Sequence, residues 1–484
     1  MAEKQSPFDL RLWLEQARSA GQLKEVKGAD LNLEVGAITE INAAKGGPAL
    51  LFDEFPGCAP GFRVMTGAML NARTLGLTLG FTGQYGNMEL VDEVAGILRR
   101  VETDAEKYPV EEVASGPVME NQFFGEDIDL EKIPVPIWHE MDGGPFIGTG
   151  TFQIHQDPET GWTNVGTYRV QRLTKNRLGN YISPGHHGHI IRMKYWEKGE
   201  PCPVVMCFGS HPLYFLLGSS DVPAGVDELT WAGAISGQRV PVVKGPVTGL
   251  PIPADCEIAV EGWCYPGKTM LEGPFGEFTG YYGGGQKEEP YVEVAGLYYR
   301  NQPILLGSPP SKPPNDMSYQ FTVMRSAAIK EALRKAGVPA VQGVWVAEAG
   351  GGRMWVVTSI RQRYAGHATQ AAMLACSCQP GALMTKYSIV VDEDIDPSNL
   401  DEVIWAISTR SDPASDIDVI RQGWSNPLDT RITAEDKARG RLSSSRAIIR
   451  AVRPYDQLKT FPPVAQASPE LLRATRNKWG KLWE

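Results

Sequence analysis

The 484-residue chain lacks three things: a Cys-x-x-Cys pair, an apolar run of membrane length, and an excess of basic charge. Its seven cysteines (Cys58, Cys202, Cys207, Cys256, Cys264, Cys376 and Cys378) are scattered and odd in number, which argues against a zinc ribbon or a disulfide framework. Cys376-Ser-Cys378 reads as two half-buried thiols rather than a redox pair. No uninterrupted apolar stretch approaches the ~20 residues of a membrane span, so no membrane partner is expected. The N-terminal Met-Ala-Glu-Lys-Gln-Ser has no apolar signal core, and a reducing cytoplasm is the expectation. A formal charge of -10 disfavours nucleic acid, whose binding relies on Lys and Arg, but leaves room for a local basic pocket. What is present is ordinary globular composition, 42% hydrophobic and 21% charged, over a length that holds two or three domains.

Residues 8–20 read as an amphipathic helix, with Leu10, Trp13, Leu14 and Ala17 on one face and Gly21 ending it. Lys45-Gly46-Gly47-Pro48 marks a turn before a buried strand at Ala49-Leu50-Leu51-Phe52, and a second helix pattern runs from Glu89 to Val101. These predict an N-terminal α/β domain over residues 1–115. From 116 to 315 short β-rich runs recur, among them Val204 to Phe208, Glu257 to Val260 and Tyr291 to Val294. Gly and Pro punctuate them about every ten residues, which predicts a curved sheet or barrel, with helices near 186–198 and 225–237. Beyond the Pro-rich loop 308–314, a helix from Val323 to Ala336 is followed by strands at Gly343 to Val346 and Ser388 to Val391. Helices at 367–375 and after Leu400 complete an alternation that predicts a third, α/β domain over 316–484, hence an α/β multidomain chain. The tail from Pro469 to Trp483 carries apolar residues suited to docking on a neighbouring subunit.

Four segments carry groups with chemical potential. In Glu272-Gly-Pro-Phe-Gly-Glu277, Pro274 excludes a continuous helix, and a turn would swing both carboxylates toward one space. Two carboxylates in one pocket push one pKa up, giving an acid and a base near neutrality; the bland alternative is a solvated loop. Gly161 to Arg169 reads as a strand in which Gly166 permits a bulge, bringing Asn164 and Arg169 to one side. Arg169 there is either a carboxylate clamp or a strand-end surface pair. Pro184-Gly185-His186-His187-Gly188-His189 holds three of the seven histidines, as a metal site or a satisfied polar turn. In Gly225-Val226-Asp227-Glu228, Glu228 is a ligand or a dipole-favoured helix acid. Asn, His and Glu together suit Mn²⁺ or Mg²⁺ rather than zinc. His211 and His367 read as core or capping histidines.

The order and spacing of Trp162-Thr163-Asn164 with Arg169, Pro184 to His187, Gly225 to Glu228 and Glu272 to Glu277 resemble the UbiD family. That family comprises reversible decarboxylases dependent on prenylated flavin mononucleotide. The resemblance includes Asp9-Leu10-Arg11, Gly143-Gly144 with Gly148-Thr149-Gly150, Val391 to Asp396, and Trp405-Ala406 with Thr409-Arg410. It implies a catalytic triad at Glu272, Arg169 and Glu277. It implies metal ligands at Asn164, His187 and Glu228, with His187 preferred to His186 by its spacing from Arg169. Mn²⁺ (or Mg²⁺) would bridge the protein to the cofactor's phosphate, with K⁺ nearby. Cofactor contacts are implied at Asn164, Gly166, Thr167, Arg169, His186, His187, Gly218, Ser219, Ser220 and Glu228. Where some members carry a cofactor-binding lysine, this chain has Pro380, with Lys386 further on.

The fold implied is an N-terminal α/β domain, a split β-barrel flavin-binding domain and a C-terminal α/β oligomerisation domain, in a homodimer or homohexamer. A flavin prenyltransferase would supply the cofactor. Asn315, Met317, Tyr319, Gln320 and Phe321 are expected to line the pocket and suit an aromatic or heteroaromatic acid. Hydroxybenzoates, furan, pyrrole or indole carboxylates and aromatic acyl-CoA esters all stay open, as does the direction of the reaction. Two rival readings are a metal-dependent hydrolase using the Asn/His/Glu set and a non-catalytic subunit of a carboxylase assembly. The intact triad argues against the second.

Overall fold

The computed structural model describes residues 6–482. Its N-terminal part is built on a four-stranded sheet in the order Leu23–Lys27, Ala49–Asp53, Arg63–Thr66, Ile304–Leu306. The last strand comes from far along the chain and pairs in parallel with Arg63–Thr66. The helix Leu10–Ser19 forms as its spacing predicts. Asp9 caps it by accepting from the Arg11 amide at 2.8 Å, and Leu10, Trp13, Leu14 and Ala17 are all buried.

A nine-stranded sheet, antiparallel in every pairing, occupies the centre. Its order begins at Phe146–Gly148 and ends at Thr163–Gly166, and these two strands do not pair with each other, so the curled sheet stays open as a half-barrel. The long hairpin Ile258–Glu272 and Lys287–Tyr299 shifts register between Glu261 and Gly262 and again between Cys264 and Thr269. Such irregularities raise the local twist that curls a sheet. In the strand Cys202–Phe208, Val204, Met206 and Phe208 enter one core while Val205 and Cys207 enter another. Both faces being buried is why this run is apolar without alternation.

The C-terminal sheet runs Val341–Val346, Trp355–Ile360, Tyr387–Asp392, Ser443–Ala451, Ile417–Trp424, with parallel pairs inside and antiparallel pairs at the edges. Ile329 and Leu333 of the helix Asp316–Lys335 and Ala371 of His367–Ala375 pack in one layer, and Val403 and Ala406 of Leu400–Arg410 in another. The helix Pro469–Trp479 buries none of its residues, and Leu471, Leu472 and Trp479 are exposed. Trp483, expected in that tail, lies outside the described residues. Among the described residues no helix is long and apolar enough to cross a membrane, and all seven cysteines are free.

Two expectations need correction. The helix expected from Val323 starts at Asp316, where Asn315 and Ser318 form a reciprocal capping box. Its first two turns bury Ser318, Gln320 and Thr322, and polar residues on the inner face hide the apolar period. The segment Gly161 to Arg169 is not one bulged strand: pairing stops at Gly166 and resumes at Val170. A Cβ on Gly166 would run into the Tyr168 hydroxyl, and the Thr167 amide leaves the ladder to donate to the Gly218 carbonyl at 3.0 Å.

Candidate active site

Glu272 ends the strand Ile258–Glu272, and Gly273, at φ +81, turns the chain in a backbone region that disfavours any side chain. The Gly273 amide donates to Gln171 Oε1 at 2.9 Å, and the Glu277 amide closes the far side on the Tyr281 carbonyl at 3.0 Å. The turn delivers both carboxylates to Arg169. Nε and Nη2 donate to the two oxygens of Glu272 at 2.9 and 2.7 Å, and Nη1 donates to Glu277 Oε1 at 3.1 Å. The Arg169–Glu272 pair is bidentate, the geometry that fixes a guanidinium plane. Glu272 is 1% exposed and Glu277 17%, so only Glu277 has an edge that a reactant reaches. Burial pushes the Glu277 carboxyl up to about 7; the nearby Glu272 adds to that rise, while Arg169 and Lys287 oppose it. The solvated-loop and surface-pair alternatives do not fit groups this enclosed.

Sequence reasoning missed Tyr181 and Lys287. The guanidinium of Arg169 lies 4.7 Å and the Lys287 ammonium 4.6 Å from the centre of the Tyr181 ring. Cation–π contacts of this kind help to hold the arginine plane. Lys287 arrives there because the hairpin places it directly opposite Glu272.

Asn164 and Glu228 form a second constellation. Asn164 Nδ2 donates to Glu228 Oε1 at 3.1 Å, the Val165 amide donates to Oε2 at 2.8 Å, and Asn164 Oδ1 is buried with no partner. Burial raises the Glu228 carboxyl to about 8, so the group is largely protonated at neutrality. His187 opens the helix His187–Glu197 with its ring edge-on to Trp162 at 5.1 Å, and the Trp162 indole donates to the Val226 carbonyl at 2.9 Å. His187 thus lies against the indole that reaches the Val226 carbonyl, two residues before Glu228, whereas His186 faces Tyr168, centroid to centroid 5.9 Å. Burial lowers the His187 pKa, leaving a neutral imidazole able to ligate. Among the described residues no three His, Cys, Asp or Glu side chains gather at one point; this set has two such groups and an amide. An orphaned amide oxygen, a buried carboxyl and a neutral imidazole fit a hard divalent cation.

Thr167 and Gly218 touch through backbone, and a Cβ on Gly218 would come within 3.0 Å of Thr167 Oγ1. Ser219 and Ser220 donate their hydroxyls to the Leu216 carbonyl at 3.0 and 2.7 Å. Of the five expected pocket residues, Gln320 donates to Ser219 Oγ at 3.3 Å, and Phe321 lies under Arg353 at 4.8 Å. Met317 packs beside Phe278 and Phe321. Asn315 is spent on its helix cap and the Ser311 carbonyl, and Tyr319 turns away to donate to Asn87 Oδ1 at 3.0 Å. His211 caps its helix by accepting the Leu213 amide at 3.2 Å, and His367 is a core histidine that accepts the Arg363 amide at 3.3 Å. Lys386 is held by the buried Asp429 at 2.7 Å.

Family models cover most of the chain. The N-terminal, Rift-related and C-terminal domains described as those of 3-octaprenyl-4-hydroxybenzoate carboxy-lyase (UbiD) match residues 14–95, 111–313 and 318–451. A pyrrole-2-carboxylic acid decarboxylase of Pseudomonas aeruginosa is 34% identical over 466 residues, 93% of this chain and 92% of its own. A phenolic acid decarboxylase of a Streptomyces species is 32% identical over 420 residues, 85% and 86% of the two chains. The UbiD-class enzyme HmfF from Pelotomaculum thermopropionicum, solved in complex with FMN, superimposes with a TM-score of 0.85 at 29% identity, covering 97% and 100%. The open form of Sedimentibacter hydroxybenzoicus vanillic acid decarboxylase gives 0.83 at 27% identity, covering 98% of each chain. Matched over nearly its whole length by decarboxylases, the chain belongs to the UbiD family and is a carboxy-lyase.

Proposed function

We propose that this carboxy-lyase reversibly removes CO₂ from an aromatic, heteroaromatic or α,β-unsaturated carboxylic acid, with prenylated FMN as cofactor. The observation that carries the reading is Arg169 held by Glu272 and Glu277, with the exposed edge of Glu277 poised near neutrality. The names of the relatives, which include decarboxylases of pyrrole and phenolic acids, support the substrate class. HmfF holds FMN in one structure and prFMN in an evolved dimeric form, which supports the cofactor.

Cleavage of the bond to the carboxylate leaves an electron pair on an sp² carbon, and the prenylated flavin supplies the electron sink for it. A guanidinium has five N–H donors, and Arg169 spends three on its glutamates, leaving two to orient the substrate carboxylate. Glu277 gives its proton to the carbon as CO₂ departs and is recharged from solvent at its exposed edge. Glu272 positions Arg169. Asn164, His187 and Glu228 would hold Mn²⁺ or Mg²⁺, and Gly166, Thr167, His186, Gly218, Ser219 and Ser220 would line the flavin. Residues 1–115, 116–315 and 316–484 are proposed as the three units, with the last, and its exposed terminal helix, joining copies of the chain. Seven free cysteines suit a reducing cytoplasm, where a flavin prenyltransferase would provide the cofactor.

Co-expression with a flavin prenyltransferase, absorption spectroscopy and a CO₂-release screen over pyrrole, furan and hydroxybenzoic acids test the reading. Flavin absorbance with CO₂ release is expected. A protein that takes up no flavin and releases no CO₂ from any of these acids would overturn it.

A further inference from the structure

A buried guanidinium is costly unless an anion compensates it. One such group, Arg325, and a half-buried second, Arg353, lie beside the Gly218 to Ser220 segment. Arg325, on the helix Asp316–Lys335, is 6% exposed and donates to the Pro380 carbonyl at 2.8 Å and to Asp221 Oδ2 at 3.2 Å. Arg353 is stacked over Phe321 at 4.8 Å and Phe278 at 5.3 Å, and its Nε is buried without a partner. Among the described residues the acid that draws on Arg353 is the same Asp221, with no hydrogen bond between them. Asp221 is 45% exposed, so solvent screens the one carboxylate that two enclosed arginines share. One positive charge is left over.

The surplus lies next to groups already assigned to the flavin site. Asp221 directly follows Ser219 and Ser220. Gln320, on the same helix as Arg325, reaches Ser219 and keeps a buried, unpartnered Oε1. His186 feels the charges of both Arg353 and Asp221. Lys386 offers no alternative cation, being neutralised by Asp429. The aromatic stack fixes the plane of Arg353 and leaves its donors free, the arrangement that suits a doubly charged oxyanion.

We infer that Arg353, backed by Arg325, holds the terminal phosphate of the flavin mononucleotide; this rests on the flavin reading above. Arg325 is clipped to the Pro380 carbonyl and to Asp221, so it contributes charge, while Arg353 makes the contact. Asp221 weakens the site by competing for the same cations. Burial, together with repulsion from Arg353, lowers the Arg325 pKa to about 9, which leaves it charged at neutrality.

Titration of the purified full-length protein, with Mn²⁺ present, by FMN and by riboflavin separates a phosphate contact from a flavin-ring contact. Tighter binding of FMN than riboflavin is expected, with inorganic phosphate competing against FMN alone. Arg353→Gln should weaken FMN about ten- to a hundred-fold, leave riboflavin unchanged, and be partly rescued by Arg353→Lys. Asp221→Asn changes a half-exposed group and should act in the opposite sense, tightening FMN about three-fold with riboflavin unchanged. Equal effects of Arg353→Gln on both flavins, or none on either, would overturn the phosphate assignment, as would FMN weakened by Asp221→Asn. Wild-type protein that binds neither flavin would overturn the cofactor reading itself, and this inference with it.

Discussion

The two polar constellations of the central half-barrel are built in opposite ways. Glu272, Arg169 and Glu277 satisfy one another: every carboxylate meets a guanidinium N–H. Asn164, His187 and Glu228 do not: an amide oxygen is orphaned, and the Glu228 carboxyl is met by the neutral N–H donors of Asn164 and Val165 rather than by a cation. The first array is complete before any ligand arrives, as orientation and proton transfer demand. The second is an acceptor set without a cation, as a site for an added ion demands. On the proposed reading, self-sufficiency marks the chemistry, and unmet polarity marks the place where a cation would be loaded.

Three substitutions and the pH dependence bear on that contrast. Glu277→Gln keeps the shape and one hydrogen-bonding face but removes the proton. CO₂ release should fall about 10²–10⁴-fold while flavin absorbance after loading stays at the wild-type level. Arg169→Ala leaves the 1%-exposed Glu272 without its partner, and denaturant titration should report a loss of about 3–5 kcal/mol. Glu228→Gln, by contrast, replaces a group already uncharged at pH 7 and should barely alter the metal-free protein. It should abolish the stabilisation by Mn²⁺, which in wild type reaches ~2.7 kcal/mol at a hundredfold excess over Kd.

The smallest effects are opposite pH slopes. Glu277 acts when protonated, so CO₂ release at saturating substrate should decline toward tenfold per unit above about 7. Glu228 must lose its proton to bind a cation, so Mn²⁺ affinity should instead rise with pH up to about 8. The same shift sets stability without metal. The folded Glu228 carboxyl sits at about 8 against an ordinary 4.5, so its contribution is full below 4.5 and is lost as pH rises toward 8. Thermal unfolding in a chelator should show that decline, and Mn²⁺ should reverse it.

Elements whose faces obey a simple period were legible in the sequence. The helix Leu10–Ser19 and the strand Cys202–Phe208 stand where apolar spacing puts them. The start of Asp316–Lys335 was hidden because its inner face is polar, and the pairing of Ile304–Leu306 with Arg63–Thr66 depends on a non-local return of the chain. Within the site, the turn between Glu272 and Glu277 was readable from Pro274 and its glycines. Its meeting with Arg169, 103 residues from Glu272, was implied only by the family resemblance, since the curl of the sheet and not any local pattern brings them together. The preference for His187 over His186 came from spacing, but the packing of its ring edge-on to the Trp162 indole was not legible there. Tyr181, Lys287 and Arg353 escaped notice because their importance comes from hairpin register and aromatic stacking.

Glu277 as the group that moves the proton is tested most directly in D₂O with the flavin-loaded enzyme and the decarboxylated product. Wild type should exchange the ring hydrogen that replaces CO₂ for deuterium, by proton transfer at that carbon alone. Glu277→Gln, carrying the same flavin content, should not exchange it. Exchange by Glu277→Gln at the wild-type rate would contradict the assignment and move the acid to another residue.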